Sequence, residues 1–244
     1  MKIFLALFLL CFSSSFAAQT ESRVVVGGTI YRTFVAQPDD VQLYWQGENG
    51  KPLRQFSAVQ AYLKRQGLRP VLLLNGGIFE DGGIPSGLLV SEGKVQHPLN
   101  LSDAPGNFFF KPNGVFYVAA GKAEVVSSEE YAKATPKARI AVQSGPLLLR
   151  NGQIHPGFKQ KSTSYLHRNG VGIRKDGSAL FAITEFGQDR YANLYEFAEF
   201  FRSQGCENAL FLDGDISQMI TNPQAPIAPG TYFGSIIAVT EPIH

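Results

Sequence analysis

Apolar and polar positions along this chain alternate in two rhythms, and the shorter one dominates. "RVVVGGTIYRTFVAQP" and "DVQLYWQ" are rich in β-branched and aromatic residues and are separated by the turn "PDD". Such runs bounded by turn residues predict strands. "GLLVSEGKVQ" predicts two strands about "SEG", and "NFFFKPNGVFYVAAGKAEVV" repeats the theme with "PNG" and "AGK". "GPLLLRNGQI" and "GVGIRKDGSALFAIT" carry Asn-Gly and Asp-Gly between apolar runs, which is the strongest short-range hairpin signal.

A longer, helical rhythm surfaces in two places. In "LRQFSAVQAYLKRQG" the residues Leu53, Phe56, Val59, Tyr62 and Leu63 fall near one face, and Gly67 supplies the stop. In "NLYEFAEFFRSQG", Asn193 and Glu196 have capping-box spacing, Leu194, Phe197, Ala198 and Phe201 form the buried stripe, and Gly205 ends the helix. "SSEEYAKATPKA" is a candidate third helix. No linker composition or repeat divides the chain. The pattern predicts an α+β fold: one domain, a β-rich mixed-sheet core and two or three helices.

Composition narrows the function classes. With 244 residues, 44% hydrophobic content and a net charge of +2, the chain has material for a sizeable core and no strong basic field for nucleic acid. "MKIFLALFLLCFSSSFAAQT" has a lysine, an apolar stretch and then small residues, the layout of a secretory signal peptide. The expectation is cleavage after residue 17, a mature domain over 18–244, no stable membrane insertion afterwards, and a periplasmic or secreted location. Cys11 leaves with that segment, so Cys206 stands alone as a small buried hydrophobe.

Several apolar strands stop at small polar clusters. "VLLL" ends at Asn75-Gly76-Gly77, "ARIAVQ" at Ser144-Gly145-Pro146 and "ALFL" at Asp213-Gly214-Asp215, while Arg168 opens a strand. Glycine-flanked strand ends are places where backbone approaches a ligand and side chains converge. The glycines of "LNGGIFEDGGIPSG" (74–87) are read here as clearing space around Asn75. Each turn pair alone is more often structural than functional. His167 beside Arg168 is a better site candidate than His97 or His155. No His or Cys pair has metal-ligand spacing, and no nucleophile elbow or phosphate loop occurs.

Taken in order, "LNGGIF…PSGLLVSEGKVQHPLN", "GNFFFKPNGVFYV", "AVQSGPLLLRNGQIHPGF", "HRNGVGIRKDGSALFAITE" and "NALFLDGDISQM" resemble the phosphodiester glycosidase family. That is the domain family of the lysosomal uncovering enzyme, which removes N-acetylglucosamine from a sugar phosphodiester. The likeness covers roughly residues 28–240 and is to a bacterial branch of exported proteins. It implies an exported hydrolase that cleaves a glycosyl phosphodiester at the anomeric C–O bond, releasing sugar and a phosphomonoester, with a sugar phosphate or cell-envelope glycan as substrate.

Carried over residue by residue, the family pattern puts weight on Asn75, Gly76, Gly77, Ser144, Gly145, Gly214 and Ser217 as substrate contacts. The chemistry of expelling a phosphate then makes Arg168 the cationic clamp and Asp213 the carboxylate that acts at the anomeric carbon, with Glu185, where the family often has an Asp, as the candidate second carboxylate. The family's usual Asp-Gly-Gly-Gly-Ser run reads "DGDIS" here, with Asp215 and Ile216 in place of two glycines, and Asn169 and Gly170 follow Arg168 where Thr and Ala are common. Three other readings remain open: a phosphodiesterase breaking the P–O bond, a glycan-binding protein that has lost catalysis, and a structural envelope domain.

Overall fold

The computed structural model describes residues 21–243. The signal-peptide segment and its Cys11 lie outside those residues. Three sheets meet around one core. The largest has seven strands, in the spatial order Glu21–Val26, Thr29–Ala36, Ala179–Thr184, Asn169–Arg174, Cys206–Asp213, Leu147–Arg150 and Gln153–Ile154. A five-stranded sheet runs Lys122–Ser127, Gly114–Ala119, Ile140–Ser144, Leu89–Ser91 and Lys94–His97. A four-stranded sheet runs Met219–Thr221, Leu68–Asn75, Ile236–Pro242 and Val41–Tyr44. The architecture is α+β in one domain. Every strand pair among the described residues is antiparallel, so the sheets are not mixed as the sequence reading had them. Tight hairpins account for much of this, since a two-residue turn can only return the chain antiparallel.

The turn chemistry explains several hairpins directly. Asn151 and Gly152 have φ of +50° and +74° between two short strands, the left-handed pair that a two-residue hairpin of matching twist requires. The run "NFF" ahead of "PNG" behaves differently: Asn107–Phe109 forms a short 3-10 turn, not a strand.

Period-two side-chain alternation places the layers. From the strand Ala179–Thr184, Leu180 and Ala182 face one side and Ala179, Phe181 and Ile183 the other. The first side packs against helix α3 (Leu194–Ser203), whose Phe197, Phe200 and Phe201 are fully buried, the first two stacking with Tyr31. The other side meets the two smaller sheets through Phe116, Val142, Leu72, Leu74 and Ile237. Each phenylalanine removed from water here contributes about 1.5–3 kcal/mol. Helix α1 (Phe56–Arg65) covers the outer face of the four-stranded sheet through Val59, Leu63 and Leu73. Helix α2 (Ser128–Ala134) covers the five-stranded sheet through Tyr131.

Capping boxes at Ser127 and Asn193 start α2 and α3, and the Asn193–Glu196 pair is the one that the sequence spacing predicts. Leu53 falls outside α1 but still packs beside it. "VLLL" shows no alternation because Leu72, Leu73 and Leu74 are covered on both faces.

Candidate active site

The strand Leu68–Asn75 of the four-stranded sheet and the strands Asn169–Arg174 and Cys206–Asp213 of the seven-stranded sheet deliver their polar ends to one place. Asn75, buried at the end of its strand, donates from Nδ2 to Asp213 Oδ2 at 3.2 Å and to Ser217 Oγ at 3.4 Å. Its Oδ1 accepts from Asn169 Nδ2 at 3.1 Å and from the Gln218 amide at 3.0 Å. Asn169 Nδ2 also donates to the Asn75 carbonyl at 3.0 Å, and Asn169 Oδ1 accepts from the Asp213 amide at 2.7 Å. The result is a closed polar network linking two sheets. Gly214 completes it, donating its amide to Asp213 Oδ1 at 2.8 Å.

Burial raises the Asp213 carboxyl to about 6, against the two hydrogen bonds that favour its ionised form. Arg168 is 2% exposed. Its Nε donates to the Ala192 carbonyl at 2.8 Å and its Nη2 to the Ser164 carbonyl at 2.9 Å. Both partners are neutral, and among the described residues no carboxylate forms an ion pair with it. Burial pulls its ionisation down to about 10, so it stays cationic at neutral pH.

Arg168 and Asp213 line the same cleft, of about 470 Å³, with Gly214, Asp215, Glu80 and the aromatic walls Phe79, Phe108, Phe109 and Phe211. The loop 105–109, freed from strand pairing, forms one rim. Glu80 is held by the Ser86 hydroxyl at 2.6 Å. It lies inside the glycine-rich block that opens the resemblance, so its position was available in the sequence, but nothing local marked it as facing a cleft.

Other sequence candidates sit elsewhere. Glu185 bonds Arg23 through both carboxylate oxygens, at 2.5 and 2.6 Å, and does not line the cleft. Ser144 is fully buried, donates to the Leu212 carbonyl at 2.7 Å and accepts from the Ile78 amide at 3.3 Å. Its hydroxyl joins strands of two sheets and is used internally. Gly76 and Gly77 do not clear space for a ligand. A Cβ on Gly76 would lie 2.2 Å from Ser235 Oγ, and one on Gly77 would lie 2.8 Å from the Gln143 carbonyl. Gly145 is crowded in the same way by Asn113.

Asn75 bonds Asp213 directly, and the Ser217 hydroxyl accepts from the same Asn75 amide. His167 bridges Thr184 and the Ser217 carbonyl, donating to the latter from Nε2 at 3.0 Å, and holds the 213–217 turn from beneath. Cys206 is buried, and burial pushes its thiol up to about 12, which suits an inert apolar packing role. Among the described residues no group of three or more His, Cys, Asp or Glu could hold a metal ion.

The model for the phosphodiester glycosidase family matches residues 69–238. The chain belongs to the phosphodiester glycosidase family. This domain is 36% identical over 222 residues to the Escherichia coli (strain K12) protein YigE, covering 89% of this chain and 84% of that one. Its fold is also that of the catalytic domain of zebrafish N-acetylglucosamine-1-phosphodiester alpha-N-acetylglucosaminidase, a structure auto-inhibited by its pro-peptide. The TM-score is 0.63 at 17% identity, over 90% of this chain and 81% of that one. A hypothetical protein from Synechocystis shares the fold at a TM-score of 0.57 and 14% identity, over 90% of this chain and 61% of the other. Membership of the phosphodiester glycosidase family supports a glycosidase activity on phosphodiesters.

Proposed function

We propose that this protein is an exported hydrolase that cleaves a glycosyl phosphodiester at the anomeric C–O bond, releasing free sugar and a phosphomonoester. The observation that carries the reading is the pairing of Arg168 and Asp213 on one cleft, with the hydrogen bonds of the cation going to neutral carbonyls and no carboxylate bonded to it among the described residues. A buried cation without a directly bonded anion is costly; Asp215 supplies charge from a distance, and a phosphate oxygen would supply the missing contact. Arg is suited to that contact because its planar fork can bond two oxygens at once.

Expulsion of a phosphate oxygen needs little protonation, since the second ionisation of a phosphomonoester lies at about 6. The demand therefore falls on the anomeric carbon. Ionised Asp213 either takes a proton from the attacking water or attacks that carbon itself, while the electron pair of the C–O bond leaves on the phosphate beside Arg168. Glu80 replaces Glu185 as the second carboxylate of the mechanism, because it shares the cleft. The aromatic walls offer apolar surface to the C–H faces of a sugar ring.

Hydrolysis in water enriched in oxygen-18 tests the bond assignment. Label in the released sugar is expected. Label in the phosphate instead would show P–O cleavage and overturn the reading. Export is tested by the mass of the mature N-terminus in an envelope fraction: loss of residues 1–17 is expected, and an intact Met1 would argue against cleavage.

A further inference from the structure

A second cavity, of about 510 Å³, adjoins the first cleft across the turn 213–217. The turn is shared out between the two spaces. Asp213 and Gly214 line the cleft, Ile216 and Ser217 line the cavity, and Asp215 lines both. His167 and Thr184 line the cavity too. The His167 Nε2 donates to the Ser217 carbonyl at 3.0 Å, and its Nδ1 lies 2.9 Å from Thr184 Oγ1. The wall is therefore tied to the same turn that carries Asp213. The volume falls in the range of about 300–1,000 Å³ typical of small-ligand sites.

The lining does not favour an anion. Arg32 is already paired with Glu21, and its Nη1 donates to the Met219 carbonyl at 3.2 Å. Burial holds the His167 imidazole below its ordinary ionisation, and both of its ring nitrogens are engaged. The exposed Asp215 carboxylate makes no hydrogen bond or ion pair among the described residues. The Gln218 side chain gives its amide to Thr231 at 2.9 Å, which leaves its carbonyl to accept. Beside these acceptors stand Phe186 and Ile216, 80% and 41% exposed. The Phe186 ring is steadied by the His167 imidazole, edge to face at 5.8 Å. A lone exposed apolar side chain is ordinary; two on the wall of one cavity, next to unspent acceptors, form a surface of mixed character.

We infer that this cavity binds a second, neutral sugar residue of the substrate, joined to the first sugar on the side away from the phosphate. The inference rests on the reading of the first cleft as the place where sugar and phosphate bind. A sugar ring would lay its C–H face on Phe186 and Ile216 and donate hydroxyls to Asp215 and Gln218. Asp215 also sets the direction. A phosphate passing it would meet like charge, so the phosphate stays beside Arg168 and the chain crosses Asp215 through its sugars. A purely apolar occupant would leave the same acceptors covered and unbonded. Asp215 and Ile216 stand where the family pattern has two glycines, and in this chain they supply the crossing. The substrate is then a glycosyl phosphodiester whose glycosyl part is an oligosaccharide.

The test compares the methyl diesters of glucose 1-phosphate and N-acetylglucosamine 1-phosphate with the same diesters extended by one like sugar at O4 or O6. The aglycone is constant, so the leaving group does not vary. At least one extended diester is expected to exceed its parent in kcat/KM by about tenfold or more, the scale set by covering an aromatic face. Phe186→Ala should erase that advantage and leave the parent diester within about twofold, as for other exposed positions. Phe186→Tyr keeps the ring and should keep the advantage. Equal kcat/KM for each parent and its extended diesters would overturn the proposal, as would an advantage that survives Phe186→Ala. Calorimetric titration with the same diesters separates the subsite from the reaction. Tighter binding of an extended diester, lost in Phe186→Ala, without hydrolysis of any diester would uphold the subsite and overturn the proposed reaction. Hydrolysis of parent and extended diesters at equal kcat/KM would do the reverse.

Discussion

Asn75 and Asp213 stand 138 positions apart in the chain, yet the Asn75 side-chain amide donates to the Asp213 carboxylate at 3.2 Å. That bond fixes one carboxylate oxygen, the Gly214 amide fixes the other, and the carboxylate cannot rotate without breaking both. Asp213→Asn should therefore abolish sugar release from glycosyl phosphodiesters while circular dichroism stays native. The near-isosteric amide can neither accept the proton of water nor form a glycosyl ester. A loss of several kcal/mol of transition-state stabilisation is expected, at about tenfold in rate per 1.36 kcal/mol. Turnover near the wild-type value would remove Asp213 from the mechanism.

Activity should also fall on the acid side. Burial raises the Asp213 carboxyl to about 6, and the proposed step needs its ionised form. In the free enzyme, kcat/KM should lose about tenfold per pH unit below that value. A profile that instead rises as pH drops through 6 would make Asp213 the proton donor.

Arg168→Lys should keep a positive charge and lose the planar fork, together with bonds to the Ala192 and Ser164 carbonyls. We expect a fall in kcat/KM of roughly 10–100-fold, milder than that of Asp213→Asn. The loss should shrink for substrates whose phosphate is a better leaving group. A uniform loss across a leaving-group series would place Arg168 in ground-state binding instead.

Asn169 links the two sheets by bonding both Asn75 and the Asp213 amide. Asn169→Leu would leave those buried groups unsatisfied, at about 1–3 kcal/mol each. Both a lower Tm and a lower kcat are expected, because the carboxylate loses its frame. Thermal unfolding and steady-state kinetics together check this; a kcat unchanged at full saturation would mean the frame is redundant.

Glu185→Gln should leave kcat within about twofold of wild type, because its carboxylate is committed to an exposed Arg23 pair of small energetic weight. A loss comparable to that of Asp213→Asn would return Glu185 to the chemistry.

Local and long-range determinants of this fold differ in how far they can be read from the chain. The Asn193 cap, the Gly67 and Gly205 helix ends and the Asn151-Gly152 turn were legible because each is decided within a few residues. The polar clusters at strand ends were legible as clusters: Arg168 and Asp213 line one cleft, and Asn75 bonds Asp213 without lining it. The roles of Ser144 and Glu185 were not legible. Ser144 is defined by a carbonyl 68 positions away, and Glu185 by the edge hairpin that brings Arg23 beside it. Gly76 and Gly77 likewise answer to Ser235 and Gln143, which no local pattern identifies. Glu80 was visible in the glycine-rich block, but only the folded loop 105–109 turns that position into a cleft wall.

The strand Ile236–Pro242 lies between Leu68–Asn75 and Val41–Tyr44 in the four-stranded sheet. Asn75 is held in register partly by its pairing with Ile236. During synthesis, then, the chain passes through an interval, from Asp215 to Ile236, in which every cleft residue has already been made and the cleft still lacks its frame. A ribosome-bound chain that ends before residue 236 should carry all the chemistry and perform none of it. Hydrolysis would begin only when that strand slots between its two neighbours, so the onset of activity in a translation reaction would time the closing of the sheet.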